Sequence, residues 1–359
     1  MRALVAMSGG VDSSVAAALI LEAGHEAIGV TLKQWQGAGG EMPVSGCCTV
    51  ADAEDARWAA AVLDIPYYVL DYVDVFRSEV VDRFASEYRA GRTPNPCVEC
   101  NRRVRFKALL ARTAELGCNV LVTGHHARVR RDEDGYHLHR ATDEGKDQSY
   151  VLHMLGQQEL ARTMFPIGAM MKRDVRAHAA RLGLGTETKP DSQDLCFVGA
   201  RSYRDFLRSE FPDMAVPGDI VDTEGEVVGT HDGTIDFTVG QRRGVAVAAG
   251  ERRYVVDIAP ATRTIVVGDR RDLLMAGCAV EEVTFVSGTA PAGRELEVQL
   301  RYRSPAVPAR IEPGGEDRWV VRFREPQPGV APGQSAVLYR GDEVLGGGII
   351  ASALREDRV

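Results

Sequence analysis

The chain has 359 residues, a 45% hydrophobic share and a formal net charge of −8, which is material for two or three globular domains and excludes a disordered chain. The acidic balance also excludes a protein that coats nucleic acid by bulk charge, while leaving room for a local basic patch that reads one folded RNA. No apolar run approaches a membrane span, the N-terminus opens on a strand without a secretory signal, and seven cysteines without such a signal point to a reducing cytoplasm.

Residues 3–7 form an apolar run that reads as a buried strand, and residues 15–21 carry the pattern of the helix after it. Between them lies Ser8-Gly9-Gly10-Val11-Asp12-Ser13-Ser14. Strand, two-glycine turn and helix start make an anion site. The glycines let backbone N–H groups approach an oxyanion, and the free N–H groups and dipole of the helix favour negative charge. This is not the common P-loop, because no Lys follows the last glycine, and Asp12 beside phosphates calls for a bridging Mg²⁺.

Strand and helix then alternate. Residues 26–32 and 67–70 read as strands and 51–63 as a helix. Residues 73–89 form an amphipathic helix with Val73, Phe76, Val80, Phe84 and Tyr88 on one stripe. A helix over about 105–116 leads to a strand at 120–123 and to Gly124-His125-His126. Such alternation predicts a parallel sheet covered by helices, with ligands at the carboxyl ends of the strands. The glycine loop and Gly124 therefore share a rim. Adjacent histidines on an extended chain cannot face one site together, so one belongs at the rim and the other to the structure.

Arg92-Thr93-Pro94-Asn95-Pro96-Cys97-Val98-Glu99-Cys100-Asn101 is a stiff, proline-bracketed loop that places Cys97 and Cys100 at the start of a helical pattern. A helix N-terminus and the neighbouring Arg102, Arg103, Arg105 and Lys107 favour thiolate there. Arg128, Arg130 and Arg131 form a second basic run after a strand end. Cys196 lies in another polar loop, Asp191 onward. Cys47 and Cys48 are adjacent rather than spaced, which suits a zinc site poorly. Cys118 and Cys278 sit in apolar surroundings. From about residue 200 the pattern becomes strands and turns, with a hairpin around 220–228, strands near 257 and 264, and a β-barrel or sandwich over the last 85 or so residues. The domains expected are 1–200, 201–273 and 274–359.

SGGVDSS resembles the pyrophosphate-binding loop (PP-loop) of ATP pyrophosphatases. Together with TPNPCVECN, Arg-Phe-Lys at 105–107, TGHHAR, KDQSYVL, DSQDLCFVG, Arg-Tyr-Arg at 301–303 and Pro-Gly-Gln at 332–334, it resembles the bacterial tRNA-specific 2-thiouridylases along essentially the whole chain. The resemblance implies an α/β fold with a parallel-sheet, adenine nucleotide hydrolase-like catalytic domain, a small mixed middle domain that binds tRNA and a C-terminal β-barrel. It implies ATP at Ala6, Met7, Ser8, Gly9, Gly10, Val11, Asp12, Ser13, Leu32 and Gly124. Asn95, Pro96 and Cys97 would border the target base. His125, Lys146, Asp147, Gln148, Arg301, Tyr302 and Gln334 would contact tRNA. Cys100 would be the catalytic cysteine and Cys196 the carrier of persulfide sulfur, and the basic run behind Cys100, Arg102 to Lys107, would hold RNA phosphates, positioning rather than specifying.

The implied activity is ATP-dependent 2-thiolation of the wobble uridine in tRNAs for Lys, Glu and Gln, with a cysteine desulfurase or sulfur-relay protein as donor. Well-known members of that family have Asp where this chain has Cys97, so a [4Fe–4S] cluster on Cys97, Cys100 and Cys196 stands beside the persulfide relay as a second expectation. A PP-loop enzyme adenylating a small metabolite would leave the cysteines and the barrel without a role. A non-enzymatic RNA-binding protein would not need an intact anion loop.

Overall fold

The computed structural model describes residues 1–36, 49–191, 195–199, 201–245, 253–291, 293–315 and 318–355. Cys47, Cys48 and residues 192–194 of the Cys196 loop lie outside them. The first domain runs β1 (Arg2–Ala6), α1 (Val11–Glu22), β2 (Glu26–Lys33), α2 (Val50–Val62) and β3 (Tyr67–Asp71). A helical run, α3, is built from Val73–Phe76, a π-helical stretch Arg77–Val81 and Asp82–Arg89. A second run, α4, joins Pro96–Glu99, π-helical Cys100–Leu109 and Leu110–Glu115.

The helix carrying the cysteines thus begins at Pro96, earlier than the apolar periodicity alone indicates. Asn95 supplies the reason: its side-chain oxygen accepts from Cys97 N at 3.1 Å, and Pro96 follows as the first helical residue, with its missing N–H and fixed φ costing nothing there.

Strand β4 (Val120–Thr123) is followed by a hairpin, β5 (Ala127–Asp132) and β6 (Gly135–Arg140), and then by β7 (Thr163–Met164) and helix α5 (Lys172–Arg181). The parallel sheet has the order β3-β2-β1-β4-β7. Ala3, Leu4 and Val5 of β1 are completely buried because both faces of the sheet are covered. Alternation then divides them, Ala3 and Val5 packing with α1, α2 and α5 and Leu4 with α3 and α4. The five strands run in one direction, so their carboxyl ends, with the glycine loop after β1 and Gly124 after β4, form one rim.

Helix α6 (Tyr203–Glu210) leads into the middle domain, where β8 (Gly218–Val221), β9 (Val227–His231), β10 (Tyr254–Ala259) and β11 (Thr264–Gly268) pair in the order β10-β11-β8-β9. The last domain contains β12 (Leu274–Phe285), β13 (Leu296–Gln299), β14 (Val307–Pro313), β15 (Trp319–Pro328), β16 (Ser335–Arg340) and β17 (Glu343–Leu354). Pairing of β12 with β17 closes it, so it is a barrel rather than a sandwich. Strand β17 hides from a propensity reading behind Gly346-Gly347-Gly348. A Cβ at Gly346 would lie 2.1 Å from Thr284 O, and one at Gly347 2.6 Å from Ala336 O, so close backbone approach selects glycine.

The β5–β6 hairpin leaves the first domain and pairs through β6 with β17. The second basic run is therefore a strand bound to the barrel, with Arg128 paired to Asp342 at 2.7 Å. Among the described residues no helix is long and apolar enough to cross a membrane.

Candidate active site

Gly9 adopts φ +70° and turns the chain from β1 into α1, whose N-terminal residue Gly10 offers no side chain to cap the helix. The first-turn N–H groups are thereby left to a ligand. The loop braces itself. Ser8 N–H donates to Ser13 Oγ at 3.1 Å, and the Ser13 and Ser14 hydroxyls donate to Gly10 O at 3.1 and 3.0 Å. A Cβ at Gly124 would stand 2.6 Å from Ser13 N, so β4 ends directly against the loop. Met7, Val11 and Leu32 are buried around it and Ala6 is partly buried.

Asp12 faces two side chains, His126 and Lys172, that the sequence reading did not single out as site residues. His126 Nε2 lies 3.1 Å from Asp12 Oδ1, and Lys172 Nζ donates to Oδ2 at 2.7 Å. Burial pushes the Asp12 carboxyl up, but those hydrogen bonds outweigh it and hold it below the usual range. Lys172 also pairs with Asp191 at 2.7 Å, and Asp191 with Lys146 at 2.8 Å. Lys189 Nζ donates to Gly9 O at 3.1 Å and to Asp52 at 2.7 Å. Lys172 and Lys189 belong to segments far from the glycine loop, which is why spacing could not place them. The clue within reach was the paucity of cation beside an anion site.

His125 and His126 turn opposite ways, as adjacency requires. His126 points to Asp12, while His125 is buried between Phe106 and Phe165 with Nδ1 2.7 Å from Thr123 Oγ1. Burial pushes the His125 imidazole down to about 3.

The cysteine segments reach the same rim from the other side. Gln34 follows β2 and its Nε2 donates to Cys100 Sγ at 3.5 Å. Phe197, next to Cys196, packs edge-on against Phe76, Phe84 and Phe206 and 6.3 Å from Trp35, the neighbour of Gln34. Cys97 is exposed, Cys100 buried and Cys196 half-buried, and among the described residues no group of three or more His, Cys, Asp or Glu side chains could hold a metal ion. The three thiols are not gathered into one ligand group in this structure, and no step below runs through an iron–sulfur cluster. For Mg²⁺ the loop provides the single carboxylate of Asp12, which suits a cation carried largely by phosphates.

The residues implied for tRNA contact occupy varied places. Lys146 is half-exposed in the ion pair with Asp191, and Gln148 Oε1 accepts from His126 N at 2.9 Å. Asp147 accepts from Arg140, from Ser149 and from the Ala141 N–H, bracing its own turn. Arg301 donates to Val239 O at 2.8 Å and Gly329 O at 2.9 Å, stapling the middle domain to the barrel. Gln334 donates to Thr93 O at 2.6 Å, joining the barrel to the loop before Cys97. Tyr302 remains exposed against Tyr150. Arg102 and Arg103, expected to hold phosphates, are instead occupied by Glu99 and Glu282.

A parallel sheet whose first βα turn is a self-braced Ser-Gly-Gly anion loop, with thiols on the same rim, defines a PP-loop nucleotide-binding domain fitted for sulfur chemistry. Comparison with known families agrees along the chain: residues 1–200 match the tRNA methyl transferase HUP domain, 204–269 the tRNA methyl transferase PRC-barrel domain and 275–350 the aminomethyltransferase beta-barrel domain. The tRNA-specific 2-thiouridylase MnmA of Chloroflexus aurantiacus is 50% identical over 97% of this chain and 98% of its own length. That of Roseiflexus castenholzii is 47% identical over 98% and 99%. A solved 4-thiouridine synthetase–RNA complex with bound ATP aligns with 59% of this chain and 50% of its own at TM-score 0.34 and 17% identity. The chain belongs to the tRNA-specific 2-thiouridylase family of tRNA sulfurtransferases.

Proposed function

We propose that this protein replaces the C2 oxygen of the wobble uridine in tRNAs for Lys, Glu and Gln by sulfur, using ATP and a persulfide on Cys196. The observation that carries the reading is the shared rim: the anion loop after β1 and the Gln34–Cys100 contact after β2 lie at carboxyl ends of adjacent parallel strands. The C2 oxygen is a poor leaving group. Attack of that oxygen on the α-phosphorus of ATP expels pyrophosphate and converts it into AMP, a good one. A divalent cation carried by the phosphates beside Asp12 would supply charge neutralisation, while the loop N–H groups, Lys172 and Lys189 are within reach to orient the pyrophosphate.

The outer sulfur of the Cys196 persulfide then attacks C2 and AMP leaves. The Cys100 thiolate attacks the inner Cys196 sulfur and the S–S bond breaks, leaving thiocarbonyl on the base and a Cys100–Cys196 disulfide to be reduced before the next turnover. The Gln34 amide donates directly to Cys100 Sγ. A uridine in an anticodon loop is already outside a duplex and can be turned toward C2 attack at low cost. By the family resemblance, Asn95, Pro96 and Cys97 would border the base. A cysteine desulfurase or a sulfur-relay protein charges Cys196.

The test is thiolation of unmodified tRNA with ATP and a persulfide donor, read as 2-thiouridine and AMP by mass spectrometry. Cys100→Ala and Cys196→Ala should each lower thiolation by on the order of 10³-fold or more while keeping tRNA-dependent pyrophosphate release. Thiolation that survives both substitutions would sink the relay.

A further inference from the structure

The barrel grips the cysteine segment on both sides. Ahead of Cys97, the Thr93 N–H donates to Pro332 O at 2.7 Å, Gln334 Nε2 donates to Thr93 O at 2.6 Å, and Arg92 pairs with Glu281 at 2.8 Å. Behind Cys100, the Glu282 carboxylate lies 3.7 Å from Arg102 and 3.4 Å from Arg103, both on α4, and 3.3 Å from Arg83 on α3. The Glu282 carbonyl also accepts from Arg102 Nη1 at 3.4 Å. The Arg102 side chain is only 16% exposed, and its Nε and Nη2 are buried without a hydrogen-bond partner among the described residues. Burial pulls the Arg102 guanidinium down from its ordinary value, and Glu99 and Glu282 oppose that pull.

Glu282 reaches these arginines through a break in its own strand. Pairing of β12 with β17 passes from Glu281 opposite Ile349 to Thr284 opposite Gly347, so β12 carries one residue more than its partner. Glu282 sits in that bulge at φ +49°, a left-handed conformation that is costly for an L side chain. A Cβ at Gly348 would stand 2.7 Å from Glu281 O, so the facing strand makes room for the bulge with glycine. Strain of this kind persists where the surroundings over-determine it, and it gathers at functional sites. We propose that Glu282 is a positioning residue for sulfur transfer: the barrel turns this carboxylate out of its strand to fix the helix that carries Cys97 and Cys100. The proposal rests on the relay reading above and deepens it by giving the barrel a part in the thiol chemistry. A single exposed ion pair would do little. Here one carboxylate serves three arginines on two helical runs, and its loss leaves the Arg102 charge under-compensated in a partly buried place. Arg102 then gains hydration by moving, and Cys100 lies two residues before it on the same helix. The anion loop is braced by its own hydroxyls, so activation of the base is spared.

The experiment compares the wild type, the isosteric Glu282→Gln and the charge-retaining Glu282→Asp, each as the full chain. Single-turnover thiolation of tRNA from a Cys196 persulfide is measured beside tRNA-dependent pyrophosphate release. Alkylation of Cys100 by iodoacetamide is followed separately by peptide mass spectrometry. Glu282→Gln should slow thiolation about tenfold, the scale of a small misplacement of a reacting group, with pyrophosphate release changed by less than about twofold. Glu282→Asp should stay within about threefold of the wild type in both. Cys100 is buried in the wild type, and its alkylation should quicken about fivefold in Glu282→Gln as the helix loosens locally. Slow alkylation of Cys278, completely buried in the barrel, reports that each variant is folded. Glu312→Gln removes a barrel carboxylate paired with Arg322 and should match the wild type throughout. Equal Cys100 alkylation in wild type and Glu282→Gln would overturn the proposal, as would a loss of pyrophosphate release equal to the loss of thiolation. Failure of the relay reading shows separately, as a wild type that does not thiolate, and Cys100 alkylation then decides the positioning role.

Discussion

The anion loop and the Cys196 segment face each other across one rim but are held in different ways. The loop is braced by bonds that span no more than five residues, from Ser8 to Ser13 and from Gly10 to Ser13 and Ser14. The Cys196 segment depends on groups from all over the domain: Phe197 sits in a cage of Trp35, Phe76, Phe84 and Phe206, and Asp191 leans on Lys146, Lys172 and Arg176. A site that binds the same phosphates in every turnover gains from local rigidity. Under the proposed relay, a thiol that first accepts sulfur and then delivers it would gain from being held by separable side-chain contacts.

The strongest way to break the local region is to add one methyl group. A Cβ at Gly9 would lie 2.1 Å from the carbonyl oxygen of Asp52, which sits in the capping box of α2, and the φ of +70° is itself unfavourable for alanine. Gly9→Ala is expected to cost more than about 4 kcal/mol in denaturant unfolding and to abolish nucleotide binding. Gly24 has a similar φ of +77° with nothing within 4 Å, so Gly24→Ala isolates the backbone strain and should cost about 1 kcal/mol. If the two variants were equally stable, the close approach of α2 to the loop would be wrong.

Phe197→Ala attacks the other region. Removing this buried ring from its aromatic cage should cost about 3 kcal/mol of stability and slow sulfur transfer, with nucleotide affinity changed by less than about twofold. A parallel loss of nucleotide affinity would mean that the two regions are one cooperative unit.

The same contrast explains what could be read from the chain. The anion loop, the first strands and helices, and the strands on either side of the barrel turns carry their signals within a few residues, and the structure contains them. The start of α4 at Pro96 was also encoded locally, in Asn95-Pro96, but a search for apolar periodicity passes over a cap. The Asp134-Gly135 turn of the β5–β6 hairpin was equally visible. What no local pattern predicts is that β6 completes its pairing on β17, or that Lys172 and Lys189 arrive beside Asp12 and Gly9 from positions some 160 to 180 residues away. Nor does a basic run disclose its partners. Arg102 and Arg103 read as a phosphate grip until Glu282, from the barrel, is found against them.

His125 lies beneath both regions, touching Phe106 of the cysteine helix and Thr123 at the end of β4, and it gives the smallest and most selective test. Burial keeps its imidazole neutral, with the folded value near 3 against an ordinary 6.5. A depressed value means that the unfolded chain takes up the proton first. The stability this group contributes is therefore complete above pH 6.5 and drains away as the pH falls toward 3, by about 1.4 kcal/mol per unit. Asp12 and Asp191 are also depressed, but their losses begin only near the ordinary carboxylate value of 3.8, so the interval from pH 6.5 to 4.5 is shared by the histidines and by Glu87, whose carboxyl is raised by burial above its ordinary 4.5. His153, buried at the barrel interface and held near 3, adds a similar slope, while His137, raised by its hydrogen bond to Glu343, contributes in the opposite sense. Comparing wild type with His125→Gln removes both from the balance. Unfolding free energies measured across that interval should converge for the two proteins as the pH falls, because glutamine has no proton to take up. Parallel curves would place a charged or solvated His125 at the rim, where it could meet RNA, instead of under it.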